Sequence, residues 1–458
     1  MADSTPTVAK FGGTSLADAD AVLRCREVVR ADPKRRVVVP SAPGKRHPED
    51  PKVTDLLYLC HDHARQGLPV GSVFDRVRGR FTGLVEGLGL DADFGRRLGA
   101  ALDEAEAGIA ARHAEGPAFA ASRGEALNGL VVAEALGFAC VDAAGVVRFG
   151  DDGRLDEAAT RGLLREAFDR LGPGGGLVVP GFYGADASGR VRTFSRGGSD
   201  VTGAVVAAAL GAGVYENWTD VSGLLMADPR VVHGPASIEK VTYRELRELS
   251  YMGATVLHPE AVFPVRAAGI PVNIRNTGEP GHPGTRIVAR VDPADESPDA
   301  PPITGVAGKR GYTSIQLEKA LMNEEVGYAE RVLGVLRRHA VSFEHMPSGI
   351  DTLSLVIADA QLEGKLDALV ADLQRELGPD HLEVDADLAL IATVGRRMRT
   401  RPGMAATLFR ALGEAGVNIR MIDQGSSELN IIVGVNEHQF EDAVRAIYGA
   451  FVGGSPAA

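Results

Sequence analysis

Short β-branched runs alternate with longer stretches of helical spacing over the first ~290 residues, and this alternation constrains the chain more than any other feature. It is the pattern of a parallel α/β sheet, in which each strand needs a crossover helix before the next can run the same way. Thr7–Phe11 predicts a strand, Gly12-Gly13-Thr14-Ser15 a turn, and Ala19, Val22, Leu23, Val28 and Val29 one face of a helix. Arg36–Pro40, Gly176–Pro180 and Ile270–Ile274 predict further buried strands. Asp200–Leu210, small and alanine-rich, predicts a helix packed closely on a sheet. Asp292–Pro302 holds proline and acid with nothing to bury, which predicts a linker and a domain boundary.

Beyond the linker the sequence repeats itself. Val332, Leu333, Leu336, Val341 and Leu353 are answered 76 residues later by Leu408, Phe409, Leu412, Val417 and Leu429. Two copies are too few for a solenoid, so a side-by-side pair of βαβ-type units is expected. A length of 458 residues implies two to four compact units, and the 45% apolar content is enough to fill their cores. No stretch approaches the ~20 apolar residues of a membrane span. The polar start runs straight into the first strand, leaving no room for a signal peptide. Cys25, Cys60 and Cys140 lie far apart without metal-ligand spacing, which suits free thiols in a reducing cytoplasm. The 11 histidines lack paired-ligand spacing, so there is no case for zinc. A net charge of −12 argues against nucleic-acid or anionic-membrane partners. An anionic small substrate is still allowed, provided a few specific basic residues build its site.

Three segments carry that chemistry. Lys10-Phe11-Gly12-Gly13-Thr14-Ser15 sits between a strand and a helix, where backbone N–H groups and a lysine can meet an anion. A plain glycine turn with a surface lysine would read the same. Ser195-Arg196-Gly197-Gly198-Ser199-Asp200 opens the alanine-rich helix and places Ser199 or Asp200 near its N-cap, although Ser and Asp are favoured there for capping alone. Asn217-Trp218-Thr219-Asp220-Val221-Ser222-Gly223 ends a strand in polar residues, and ligand sites of open α/β sheets lie at such ends. His258-Pro259-Glu260 reads as a helix-start cap, Asp228-Pro229-Arg230 as a turn, and Trp218, the sole tryptophan, as core.

Taken together these segments resemble the aspartate kinases, as do Ser122-Arg123-Gly124-Glu125 and Tyr251–Pro259. The resemblance covers nearly the whole chain, and Ser41–Asp55 and Phe343–Asp351 are similar to the monofunctional, lysine-sensitive branch. It implies an α/β amino-acid-kinase fold over residues 1–291, a three-layer αβα sandwich with a mainly parallel sheet. Two ferredoxin-like ACT domains at 303–380 and 381–453 would follow. It also implies transfer of the ATP γ-phosphoryl group to the side chain of L-aspartate, with Mg²⁺. Lys10 would contact the transferring group and Asp200 would hold that lysine. Glu125 would take the substrate ammonium and Arg196 its α-carboxylate, with Ser41, Thr54 and Ser199 lining the pocket. Lys10, Gly12, Gly13, Thr219, Asp220, Leu225, Arg230, Thr255 and Val256 would face the nucleotide. Leu225 stands where many relatives have tyrosine and Thr255 where they have lysine; Leu225 can still cover a base by apolar contact.

In the first repeat Met322, Asn323, Gly327, Tyr328, Ser342, Phe343, Glu344 and Ser348 would contact an effector, lysine or threonine or both. Each also fits ordinary turn-and-strand packing. Asn418, Ile419, Gln424 and Ser427 would serve contacts between ACT domains in a homodimer or homotetramer. Rival readings are a kinase of the same fold acting on glutamate, N-acetylglutamate or a nucleotide, and a non-catalytic amino-acid-sensing paralogue. Glu125 with Arg196 and the double repeat oppose the first; Lys10, Asp200 and both glycine loops oppose the second.

Overall fold

Thr7–Phe11 (β1) forms over the residues expected and is buried throughout, because helices cover both faces of the sheet around it. The computed structural model describes residues 5–195, 197–254, 257, 259–292, 297 and 300–453. The chain divides into one unit of residues 1–224, 237–243 and 256–295 and another of 225–236, 244–255 and 296–458.

In the first unit β1 is joined by Val37–Pro40 (β2), Ala139–Cys140 (β3), Leu177–Val178 (β4), Val214–Thr219 (β5), Lys240–Thr242 (β6), Val272–Asn276 (β7) and Thr285–Val288 (β8). The sheet order is β6-β8-β7-β5-β1-β2-β4-β3, and every pairing is parallel except β7 with β8. β7 begins two residues later than expected. Pro271 has no N–H to give a ladder, and only its carbonyl is used, by Tyr215 N at 3.0 Å.

Strand residues alternate between two helical layers. Ala9, Phe11, Val38 and Trp218 enter a core with Ala19–Arg30 (α1), Val53–Arg65 (α2), Gly71–Leu88 (α3), Ala92–Arg112 (α4) and Ala118–Leu136 (α5). Trp218 is 1% exposed and stacks on Phe11, which settles it as core. Its indole donates to Glu216, which is itself gripped by Arg35 at 2.7 and 3.0 Å. After Glu157–Asp169 (α6), Gly198–Leu210 (α7) lies on the opposite face, where Lys10, Tyr215 and Asn217 meet it.

In the second unit Gly305–Glu318 (β9), Thr352–Ala358 (β10), His381–Val394 (β11), Ile419–Asp423 (β12) and Asn430–Asn436 (β13) form one sheet, ordered β10-β9-β11-β13-β12. The repeat is visible in its helices: Tyr328–Arg338 (α8) and Met404–Glu414 (α10) are the same length and start 76 residues apart, followed by Leu366–Leu377 (α9) and Phe440–Val452 (α11). The copies differ in the loop before β10 and β13. The second copy forms the edge strand β12 there, whereas the first touches β10 only through bridges at His345 and Ser348. β9 and β11 run through both copies. A register shift between Lys309 and Tyr312, with Gly311 at φ 87°, separates the half of β9 beside β10 from the half beyond it. Among the described residues no helix is long and apolar enough to cross a membrane.

Candidate active site

Parallel register brings three loops to one edge of the first sheet. Phe11 lies opposite both Pro40 and Trp218, so the chain leaves β1 at Gly12, β2 at Ser41 and β5 around Thr219 in neighbouring positions. Backbone bonds tie these exits together: Gly12 N donates to Trp218 O at 3.0 Å, Ser41 N to Phe11 O at 3.1 Å, and Gly44 N to Gly13 O at 2.8 Å. A side chain at Gly44 would come within 2.5 Å of the Gly13 carbonyl carbon, so this approach of two backbones requires glycine. Thr277 closes the rim, giving its N–H to Thr219 O at 2.9 Å and lying 2.8 Å from Ser15 Oγ.

Lys10, near the end of β1 and buried, reaches α7, where its Nζ lies 2.6 Å from Asp200 Oδ1. Asn217 Nδ2 donates to the same oxygen at 2.8 Å. Ser199 and Asp200 lie near the N-cap as expected, and the cap itself is Gly197, left-handed at φ 57° and without a side-chain bond. Ser199 and Asp200 therefore sit in the first turn, and the Asp200 carboxylate points to Lys10 instead of closing on its own backbone. Ser199 packs against Gly181, where an added Cβ would fall 2.6 Å from the Ser199 Cβ.

Glu125 comes from α5. Gly124 lets Ala42, Val53 and Leu57 close on the helix, and Thr54, half-buried, follows Val53 in the first turn of α2. Burial raises the Glu125 carboxyl to about 8, against the partial opposition of the Ala42 N–H and the nearby Lys10 charge. One of its oxygens, Oε2, is buried without a hydrogen-bond partner. One turn on, Asn128 donates to Ser41 O at 2.7 Å, so α5 grips both sides of the Ser41–Ala42 peptide. Arg80 of α3 anchors the rest of that loop, bonding Asp50 at 2.8 Å, Gly44 O at 2.7 Å and Ala17 O at 3.0 Å.

The first unit thus gathers Lys10, Gly12, Gly13, Ser41, Thr54, Glu125, Ser199, Asp200, Thr219 and Asp220 around one edge of its sheet. Asp220 is exposed and takes the Thr219 hydroxyl at 3.1 Å. Arg196, Thr255, Val256 and His258 lie outside the described residues. Leu225 and Arg230 belong to the second unit, where Arg230 is exposed and paired with Asp228 at 2.6 Å. Among the effector candidates, Met322 and Tyr328 enter the core of the first repeat, while Asn323, Gly327, Ser342 and Ser348 are exposed. Phe343 is also exposed, and Glu344 accepts from the Tyr251 hydroxyl. The sequence marks no role for Asn128, Arg80, Asp50 or Tyr215; isolated buried polar residues carry no motif, and only the pairing in space marks them.

Chemically, the cleft combines a cation held by a carboxylate, a glycine-lined backbone rim and a buried acid with an open acceptor. Such a set can receive one phosphorylated ligand and one small molecule carrying an ammonium group.

Comparison with known proteins agrees with this arrangement. Residues 5–276 match the model of the amino acid kinase family, and residues 391–451 match an ACT domain. The chain is 38% identical to aspartokinase 3 of Bacillus subtilis over 98% of its own length and 99% of that protein's. It is similar to the crystal structure of Clostridium acetobutylicum aspartate kinase at 47% identity and TM-score 0.89, covering 97% of this chain and 100% of that one. E. coli aspartokinase III, at 27% identity with 97% and 99% of the two chains covered, matches in two crystal structures. One, with lysine and aspartate, gives TM-score 0.74; the other, with aspartate and ADP, gives 0.71.

Proposed function

This chain belongs to the aspartokinases, a branch of the amino acid kinase family, and we propose that its first unit carries out their reaction through Lys10, Asp200 and Glu125. It is an aspartate kinase, moving the γ-phosphoryl group of ATP onto the β-carboxylate of L-aspartate. An aspartate side chain with pKa ~3.9 is already ionised at neutral pH, so no general base is required. The difficulty is bringing an anion to a polyanion, which makes catalysis a matter of positioning and charge neutralisation. A β-carboxylate oxygen bonds to the γ-phosphorus as the bond to the bridging oxygen breaks, and ADP leaves with that electron pair. The product is an acyl phosphate, 4-phospho-L-aspartate.

Lys10 meets the charge on the transferring group while Asp200 keeps its amine in place. Glu125 takes the substrate ammonium, Arg196 takes the α-carboxylate in a bidentate grip, and Ser41, Thr54 and Ser199 line the pocket. Gly12, Gly13, Thr219 and Asp220 serve the nucleotide, with Leu225, Arg230, Thr255 and Val256 assigned to it by resemblance. Mg²⁺ supplies neutralisation of the ATP phosphates when bound. Among the described residues there is no cluster of three or more metal-ligating side chains. An ion held largely by phosphate oxygens and water needs no dedicated set of side chains.

The second unit, with two ACT-type copies taken at 303–380 and 381–453 that share β9 and β11, binds an effector amino acid, lysine or threonine or both, through Met322, Asn323, Gly327, Tyr328, Ser342, Phe343, Glu344 and Ser348. Inhibition follows if the effector prefers a less active arrangement. Assembly as a homodimer or homotetramer through these copies and residence in the cytoplasm complete the reading. What supports it most is the Lys10–Asp200 pair at 2.6 Å beside the glycine rim. The test is ATP-dependent hydroxamate formation across aspartate, glutamate and N-acetylglutamate. Product with aspartate is expected; product with glutamate but not aspartate would overturn the assignment.

A further inference from the structure

We infer that Asn217, braced by Tyr215, is a positioning residue that fixes the Asp200 carboxylate so that Asp200 in turn fixes Lys10. The inference rests on the reading above that Lys10 meets the transferring phosphoryl group.

β1 and β5 run parallel with Lys10 directly opposite Asn217. Residues two apart on a strand share a face, so Tyr215, Asn217 and Lys10 all look towards α7. Both Lys10 Nζ, at 2.6 Å, and Asn217 Nδ2, at 2.8 Å, reach a single oxygen, Asp200 Oδ1. Tyr215 holds the other end of the same residue, its hydroxyl donating to the Asp200 backbone carbonyl at 3.0 Å. Burial, reinforced by the Asp200 charge, pushes the Tyr215 phenol well above its ordinary range, so it stays a donor. The Tyr215 ring lies under α7 only because residue 203 is glycine: a Cβ there would fall 2.6 Å from the ring.

An aspartate in the first turn of a helix has competing partners, since the unbonded N–H groups of that turn accept capping by short acidic side chains. The amide of Asn217, 5% exposed and carried on a rigid central strand, decides that competition in favour of Lys10. An apolar residue would fill the same buried space without a desolvation cost, so the amide earns its place through the bonds it makes.

Two isosteric substitutions test this, with kcat and KM read separately. Asn217→Leu removes the donor and is expected to lower kcat about ten- to a hundredfold, the loss of one hydrogen bond to a charged group. KM for aspartate and for ATP should stay within about twofold, because residue 217 acts through the Asp200 carboxylate that it bonds. Asn217→Asp places a carboxyl facing Asp200 on α7, Lys10 on β1 and Tyr215 on β5. When that carboxyl takes up a proton it regains a donor, so its kcat relative to the parent enzyme should climb as pH falls from 8 to 6. Asn217→Leu should show no such recovery. A purely structural role cannot produce that difference, and if Asn217→Leu does not fold, the Asn217→Asp profile alone decides. The inference is overturned if Asn217→Leu keeps kcat within about twofold, if the loss falls on KM, or if Asn217→Asp shows no acid recovery. Lys10→Ala separates the two levels. Should it retain turnover, the reading of Lys10 fails; should it be inactive while Asn217→Leu is normal, only the present inference fails.

Discussion

Replacing Glu125 by glutamine should make the free enzyme more stable and a poorer binder of aspartate, with both effects following one pH curve. The carboxyl is 6% exposed, and burial raises it from 4.5 to about 8. Below pH 4.5 it holds a proton in folded and unfolded chains alike, and its stabilising contribution is fully present. Between 4.5 and about 8 the unfolded chain ionises first, so stability is lost as pH rises through that window and the loss is complete above it. At 1.36 kcal/mol per unit, the burden at pH 8 is on the order of 5 kcal/mol, which Glu125→Gln, neutral at every pH, should relieve. The substrate ammonium needs the ionised form. A group with pKa about 8 is ionised in roughly half of the molecules at pH 8, a tenth at pH 7 and a hundredth at pH 6. The kcat/KM for aspartate should therefore fall about fivefold from pH 8 to 7 and about ninefold from 7 to 6, since this ratio reports the free enzyme. The assay is initial-rate hydroxamate formation in one mixed buffer across that range, with thermal melts of both proteins beside it. A profile flat between pH 6 and 8, or the same slope in Glu125→Gln, would refute the reasoning.

Other expectations follow from the same geometry. Arg80→Met leaves the buried Asp50 with Arg46 alone, which should cost about 3–5 kcal/mol in a denaturant titration and raise KM for aspartate by loosening the 41–52 loop. Arg46 and then Arg80 hold the Asp50 carboxyl well below its ordinary range, so its contribution is present above pH 3.8 and lost as pH falls below it. The parent enzyme should thus outlast Arg80→Met most clearly near neutral pH. Gly44→Ala pushes a methyl group against Gly13 backbone atoms at 2.5 and 2.6 Å and should lower kcat about a hundredfold, read by steady-state kinetics. In the second unit Glu245 is fully buried and accepts from Thr304 Oγ1 at 2.6 Å and from Arg396 N at 3.0 Å and Nη1 at 3.1 Å. Arg396→Met should lower the melting transition of that unit by the equivalent of about 3–5 kcal/mol, seen by calorimetry.

β1, β2, β4, β5 and β7 and the glycine loops of the first unit could be read from the sequence because β-branched apolar runs and glycine turns are local signals, whereas β3, β6 and β8 carry none strong enough to be read. β1 and α7 lie where the alternation put them, within a residue or two. The lobe of α3 and α4 gave no such signal, since Gly71, Gly79, Gly83, Gly87, Gly95, Gly99 and Gly108 interrupt it and glycine disfavours isolated helix. Tertiary packing overrides that preference through Phe74, Val77, Phe81 and Leu84 on one helix and Phe94, Leu98, Leu102 and Ile109 on the other. Lys10, Glu125 and Asp200 were marked by their motifs. Their mutual placement was not, because it depends on which strands become neighbours and in what register. Asn217 is the clearest case: it stood in a recognised segment without a role until the pairing of β1 with β5 set it against Lys10. Asn128 and Arg80 act on backbone carbonyls from distant helices, contacts that no spacing in the chain encodes.

The central claim is that Lys10, clamped by Asp200, lets two anionic reactants meet. Single-turnover formation of the aspartyl phosphate from ATP, trapped with hydroxylamine in the parent enzyme and in Lys10→Ala, tests it most directly. Product is expected in the first and none above background in the second, with matching circular dichroism and melting curves. Product formed at comparable rates by both proteins would contradict it.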